Sequence, residues 1–141
     1  MSDRILVGYD GTPLADAALG FAFENFPDAD VTAVYVIQVP EGQLGVFDGP
    51  SVDLPVSDRA LEHAEDVLDG ATAVAAEYDR SVDTDVVSGK PDQRLVEYAD
   101  DHASDTIVVG SHGRQGVSRL LLGSVAENVV RRSPIPVVVV R

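Results

Sequence analysis

The chain has no cysteine, which excludes disulfides, thiolate metal sites and a cysteine nucleophile. No apolar run approaches the roughly 20 residues that cross a bilayer. The opening MSDRILVGYDG enters a strand at once, with neither a cationic segment nor an apolar signal core. A cytoplasmic chain without membrane contact is therefore expected. Lysine is nearly missing as well. Lys90 is the only one, and nine arginines bring the bases to 10 against 24 acids, 17 of them aspartate. A formal net charge of −14 excludes general binding to nucleic acid or anionic membranes, which needs clustered cations.

What is present is a foldable core. Hydrophobic residues make up 45% of 141 positions, well above the composition of a disordered chain. Residues 1–141 are the size of one domain, with no linker, internal repeat or low-complexity tract. The acids are spread over helix faces and loops rather than collected in a tail. With almost no lysine among them, they read as a solvated surface adapted to high salt, where mutual repulsion is screened.

Five apolar segments read as strands: 4–9, 30–37, 81–89, 105–110 and 136–140. Helical patterns lie between them. Thr12-Pro13 opens one that runs to about Asn25, as N-cap and first-turn proline. Ser57 precedes another to about Asp79, with Leu61, Ala64, Leu68, Ala71, Ala75 and Tyr78 at helical spacing. Lys90-Pro91 opens a third through Tyr98 and His102. Strands alternating with helices predict an α/β, Rossmann-like domain. Its sheet is five-stranded and parallel, in the order 3-2-1-4-5, with helices on both faces. Ligands of such sheets sit at the carboxyl ends of the strands where the order reverses. That brings Asp10, after the first strand, across a crevice from Gly110, after the fourth.

The stretch VVGSHGRQGVSRLLLGSVAENVV (108–130) supplies the chemistry. Gly110 and Gly113 allow a sharp turn with N–H groups facing a phosphate. Ser118 to Leu122 suit a short helical turn. Ser124 and Glu127 match a capping box, which starts the last helix at Ser124. Gly123, the Ser124 hydroxyl and the Val125 N–H then form an anion site at a helix N-terminus. Arg114 and Arg119 add cations where a polyphosphate needs them. Read without a ligand, the same glycines make turns and Ser124 caps a helix.

The spacing Gly110-x-x-Gly113, nine residues, Gly123-Ser124 resembles the ATP-binding signature of the universal stress protein family. RILVGYDGTP is similar to that family's first strand and turn, and VTAVYVIQVP to its second strand. IVVGSHGRQGVSRLLLGSVAENVVRRSPIPVVVV is similar to its last third. The resemblance implies ATP as ligand, with Gly110 and Gly113 along the ribose and phosphates. Gly123, Ser124 and Val125 would take the phosphates. It implies Asp10 near the ribose and triphosphate, where a bound Mg²⁺ would sit. Val36 would offer its backbone to adenine, and Val109 would border the pocket. It also implies a dimer. The segment 40–56 falls where family members vary, and nothing carries over to it.

Other chemistries find less support. There is no P-loop, no G-x-G-x-x-G after the first strand and no G-x-S-x-G elbow. His112 reads as a solvated loop residue, and His63 and His102 as surface residues without metal-ligand spacing. No residue presents itself to position an attacking water, so any hydrolysis is slow. PVVVV is an apolar edge strand under this topology, and pairing of two copies along 136–140 gives a closed homodimer. The expected function is a nucleotide-dependent stress-response module with an unidentified protein partner. Its rivals are a dimeric interaction module that binds no nucleotide, and a slow ATPase or phosphoryl-transfer enzyme. Moving from molar salt to about 0.1 M lengthens the Debye screening distance from roughly 3 Å to about 10 Å. The melting temperature is expected to fall accordingly, and one indifferent to salt would contradict the salt-adapted surface.

Overall fold

The computed structural model describes residues 3–38, 57–111 and 123–141. Five strands lie within them: β1 (Arg4–Gly8), β2 (Asp30–Gln38), β3 (Asp83–Gly89), β4 (Thr106–Gly110) and β5 (Val137–Val140). The described helices are α1 (Pro13–Asn25), α2 (Asp58–Glu77), α3 (Pro91–Asp101) and α4 (Ser124–Arg132). All strand pairs are parallel, in the order β3-β2-β1-β4-β5, as the alternation predicts. β1, β3, β4 and β5 are each one or two residues shorter than expected, and β2 runs one residue longer. The proposed helical turn at 118–122 and the segment 40–56 lie outside the described residues, apart from their flanks.

Period-two alternation divides the core between the two faces of the sheet. Ile5, Val7, Val31, Ala33, Tyr35 and Val108 face α1 and α2, where they meet Leu19, Phe23, Leu68 and Ala71. Leu6, Val34, Ile107 and Val109 face α3 and α4, against Leu95, Ala99, Ala126 and Val129. Each fully buried Leu or Ile contributes about 1.5–3 kcal/mol. Arg132 Nε also reaches Asp92 Oδ2 at 3.2 Å, tying the end of α4 to the start of α3.

The helix starts follow local chemistry. Thr12 Oγ1 accepts the Ala15 N–H and Ser57 Oγ accepts that of Ala60, each as an N-cap. On α2 the middle of the expected stripe, Ala64, Leu68, Ala71 and Ala75, is buried. Its ends are not: Leu61 is 40% exposed and Tyr78 37%. Tyr78 lies past the last helical residue, its hydroxyl donating to Glu24 Oε1 at 3.2 Å.

The two sheet edges differ. β3 exposes Asp83 and Asp85, charges that discourage strand addition. β5 consists of four valines, all half-buried, with no charge among them. Among the described residues no Asp or Glu is buried, which agrees with acids placed for solvation.

Tyr9, just past β1, is buried and donates its hydroxyl to Asp16 Oδ1 at 2.5 Å. Burial, that hydrogen bond and the charges of Asp16 and Asp10 push the phenol well above its ordinary value of 10. Tyr98 is pushed up to about 12 by burial and its bond to Asp85. The unfolded chain releases these protons from near pH 10, while the folded chain still holds them. Folding stability is therefore expected to fall as pH rises from about 10 toward 12. Tyr9→Phe should cost about 0.5–1.5 kcal/mol at neutral pH and flatten that decline. Denaturant titrations across the range measure both, and an unchanged slope would count against Tyr9.

Candidate functional site

The strand order reverses between β1 and β4, so their carboxyl ends open a crevice. Their register pairs Ile5 with Thr106 and Val7 with Val108. Carried past the last pair, that register would set Tyr9 opposite Gly110 and, one residue on, Asp10 opposite Ser111. Asp10 is held by a local turn: its Oδ1 accepts the Thr12 N–H at 3.0 Å and the Thr12 hydroxyl at 2.6 Å. Gly11 between them takes φ +81, a conformation L side chains rarely adopt. Asp10 remains partly exposed, and among the described residues its Oδ2 accepts no hydrogen bond.

Gly110 has a different reason to be glycine from the one expected. Its φ is not in the left-handed region. A Cβ there would lie 3.0 Å from Leu14 Cβ and 3.3 Å from the Leu14 carbonyl. The first turn of α1 packs directly on the end of β4, and the missing side chain makes room for it. Close approach of a helix, not a sharp turn, explains this residue.

Ser111 follows, and it is the buried polar residue of the described chain, 4% exposed. Its N–H donates to the Val140 carbonyl at 2.7 Å, and its own carbonyl accepts the Gly123 N–H at 2.6 Å. The chain thus leaves β4 and returns to the same point to begin α4. Sequence reasoning passed over Ser111; the signal was a polar residue directly after the apolar run of β4.

Gly123, rather than Ser124, is the N-cap of α4, with φ −65 and ψ 158. The expected capping box therefore does not form. Ser124 is already helical, and Glu127, one position too far along, pairs with Arg131 at 2.8 Å. The bond to Ser111 fixes the chain direction one residue before the serine, so tertiary structure overrides the local pattern. Since its N–H is engaged by Ser111, Gly123 offers a site closeness of approach rather than a donor. It brings no capping side chain to the first turn of α4, where N–H groups have no intrahelical acceptor. Exposed Ser124 and half-buried Val125 start that turn.

Val36 pairs with Val87 in β3, and its side chain packs on the α3–α4 side. Tyr9 N–H donates to the Val34 carbonyl at 2.9 Å, so the backbone edge of Val34 faces β1. By the alternation of a parallel ladder Val36 faces the same way, two residues past the point where β1 ends. Val109 is 4% exposed and packs in the core, its Cγ1 close over Gly8. Gly113, Arg114, His112 and Arg119 lie outside the described residues. So these elements bring Asp10, Gly110, Gly123, Ser124 and Val125 to one edge of the sheet, with the backbone of Val36 beside them. Val109 forms core beneath. Among the described residues no cluster of three or more His, Asp or Glu suits a metal ion, and no helix is long and apolar enough to cross a membrane. A cleft of about 390 Å³ lies elsewhere, along the outer edge of β3, lined by Ile37, Asp85, Arg94, Tyr98 and His102 among others.

Comparison with known proteins gives a consistent picture. The universal stress protein family model matches residues 1–141. Universal stress protein MJ0531 of Methanocaldococcus jannaschii is 32% identical over 149 residues, covering 98% of this chain and 81% of that protein. The chain spans 45% of the length of a Mycobacterium tuberculosis universal stress protein that it matches at 33% identity. The solved structure of MJ0577 superposes with a TM-score of 0.78 at 30% identity, covering 99% of this chain and 96% of that one. A universal stress protein solved in complex with cAMP gives 0.70 at 25% identity, covering 99% and 97%.

The packing account of Gly110 is testable without any ligand. Gly110→Ala should destabilise the chain by about 1–3 kcal/mol through overpacking against Leu14, read from denaturant unfolding. Unaltered stability would mean that helix packing does not require the glycine.

Proposed function

The chain belongs to the universal stress protein family. From that premise we propose that residues 1–141 act as one cytoplasmic nucleotide-binding module, with ATP as the ligand at the carboxyl ends of β1 and β4. The observation that carries this reading is the start of α4: a helix N-terminus with a glycine N-cap, anchored through Ser111 at the end of β4. Such an end favours an anion through its unpaired N–H groups and its dipole. The family relation to a protein solved with cAMP supports a nucleotide as that anion.

In this arrangement the N–H groups of Ser124 and Val125 and the Ser124 hydroxyl take phosphate oxygens. Gly123, lacking a side chain, lets them approach. Gly110 and Gly113 border the ribose and phosphates, and Arg114 and Arg119 offset charge in an acidic protein. Val36 offers one backbone donor and one acceptor to adenine, while Val109 underlies the pocket as packed core. Asp10, through Oδ2, would be a ligand for Mg²⁺ carried by the triphosphate, which supplies charge neutralisation there. In this reading hydrolysis of the bound ATP is slow or does not occur.

The same reading includes a homodimer along residues 136–140. The Pro136 and Val140 carbonyls accept bonds from Ile107 in β4 and from Ser111 just past it. Alternation then turns the backbone groups of Val137 and Val139 outward, where a second β5 can pair antiparallel about a two-fold axis. Val130 on α4, 45% exposed, adds apolar surface. Nucleotide state would alter the surface offered to a protein partner.

Protein purified in molar salt without added nucleotide, then denatured and chromatographed, should release near-stoichiometric ATP. Gly123→Val places a side chain at the phosphate position and displaces two charge-assisted hydrogen bonds of about 1.5–3 kcal/mol each. Binding should weaken by roughly 100-fold or more, with the melting temperature as a control for folding. An empty protein that also ignores added Mg-ATP would overturn the reading, and the nucleotide-free interaction module would replace it.

A further inference from the structure

We propose that Thr12 is a positioning residue that restricts Asp10 to ligation through a single oxygen, so that the nucleotide site takes Mg²⁺ in preference to Ca²⁺. The inference rests on the nucleotide reading above and adds metal selectivity to it. Asp10 Oδ1 accepts two hydrogen bonds from the same residue, the Thr12 N–H at 3.0 Å and the Thr12 hydroxyl at 2.6 Å. A carboxylate oxygen has two lone pairs to offer, and on Oδ1 both are taken. The direction of the hydroxyl is settled as well. Thr12 Oγ1 accepts the Ala15 N–H at 3.2 Å as N-cap of α1, and its one proton goes to Asp10. Oδ2 is left to a ligand.

The turn that sets this geometry is held from two sides. Gly11 takes φ +81, and a Cβ there would lie 3.3 Å from Val67 Cγ1 on α2. The Thr12 carbonyl accepts the Asp16 N–H at 3.1 Å, so α1 fixes the residue through its backbone as well as its hydroxyl. Asp10 therefore presents one oxygen in a set orientation, and phosphate oxygens and water fill the other positions around a cation. Mg²⁺ suits that arrangement, because it keeps several waters in an octahedral shell and binds through one or two carboxylates plus phosphates. Ca²⁺ takes about six to eight oxygens and readily accepts both oxygens of a carboxylate. A saturated Oδ1 denies it the second.

The test titrates Mg²⁺ and Ca²⁺ calorimetrically into wild type, Thr12→Val and Thr12→Ser, each in molar salt with protein in excess over ATP. ATP affinity in EDTA is measured alongside. Wild type should bind Mg²⁺ more tightly than Ca²⁺. Thr12→Val removes the hydroxyl and frees one lone pair of Oδ1, so Mg²⁺ affinity should fall by about 10- to 100-fold and the preference over Ca²⁺ should narrow. Thr12→Ser keeps both bonds and should match wild type. In EDTA, Thr12→Val should bind ATP as wild type does. A merely structural defect at the start of α1 would weaken ATP with and without metal, and that result overturns the positioning role. Equal affinity of wild type for the two cations, or unaltered Mg²⁺ affinity in Thr12→Val, also overturns it and leaves the nucleotide site standing. Should Thr12→Val fail to fold, Asp10→Asn replaces it, since its amide oxygen can still accept from Thr12 while an NH₂ stands in place of Oδ2. Mg²⁺ affinity that survives this change overturns the inference. Failure to bind ATP at all removes the nucleotide reading, and the metal selectivity with it.

Discussion

The pairing of β1 with β4 is the constraint from which the carboxyl edge takes its geometry. These strands are distant in sequence and sit side by side at the centre of the sheet. From this pair the connections run to opposite sides, β2 and β3 one way and β5 the other. The chain leaving β1 must turn up into α1, and the chain leaving β4 must clear it. Leu14 rests on Gly110 because both connections need the same space. Asp10, Gly11 and Thr12 close their turn within a few residues for the same reason: positive φ at Gly11 and the Asp10 bonds to Thr12 start α1 immediately.

The topology was legible because each physical signal it depends on is local. Strand periodicity, the Thr12 and Ser57 caps and the Pro13 and Pro91 starts can all be read from a few neighbouring residues. Right-handed crossovers then leave few ways to order a parallel sheet. The expectations that needed correction concern residues whose neighbours come from far along the chain. Ser124 carries a sound capping pattern with Glu127, yet Gly123 becomes the cap because Ser111 captures its N–H. Leu61 and Tyr78 keep helical spacing, but spacing does not reveal how far the packed layer extends.

The residues at the site show how one sequence feature can serve two physical ends. Gly110 stands in a pattern that suggests ligand approach, and in the fold it also accommodates a helix. Asp10 is the acid proposed to serve a nucleotide, and it builds the turn before α1 with one of its two oxygens. Chemistry at such positions constrains the same backbone that stability constrains. A sequence pattern cannot separate the two contributions, because both select the same residue. Ser111 is the opposite case, since its side-chain type gives little warning of two backbone bonds that join distant segments.

β5 carries a consequence of its uniformity. Four consecutive valines present the same shape to either face of the sheet, so sliding the strand by one residue would put valine in place of valine at three of its four positions. Side-chain packing, which pins most strands, is here translationally degenerate. The degeneracy is broken at the two ends instead. Pro136 has no N–H and gives its carbonyl to Ile107, while Val140 gives its carbonyl to Ser111. Upstream, the Ser133 hydroxyl bonds both the N–H and the carbonyl of Ile135 and shapes the approach to the strand. The alignment of β5 is thus written in its boundary residues, where proline at 136 offers a carbonyl and no N–H.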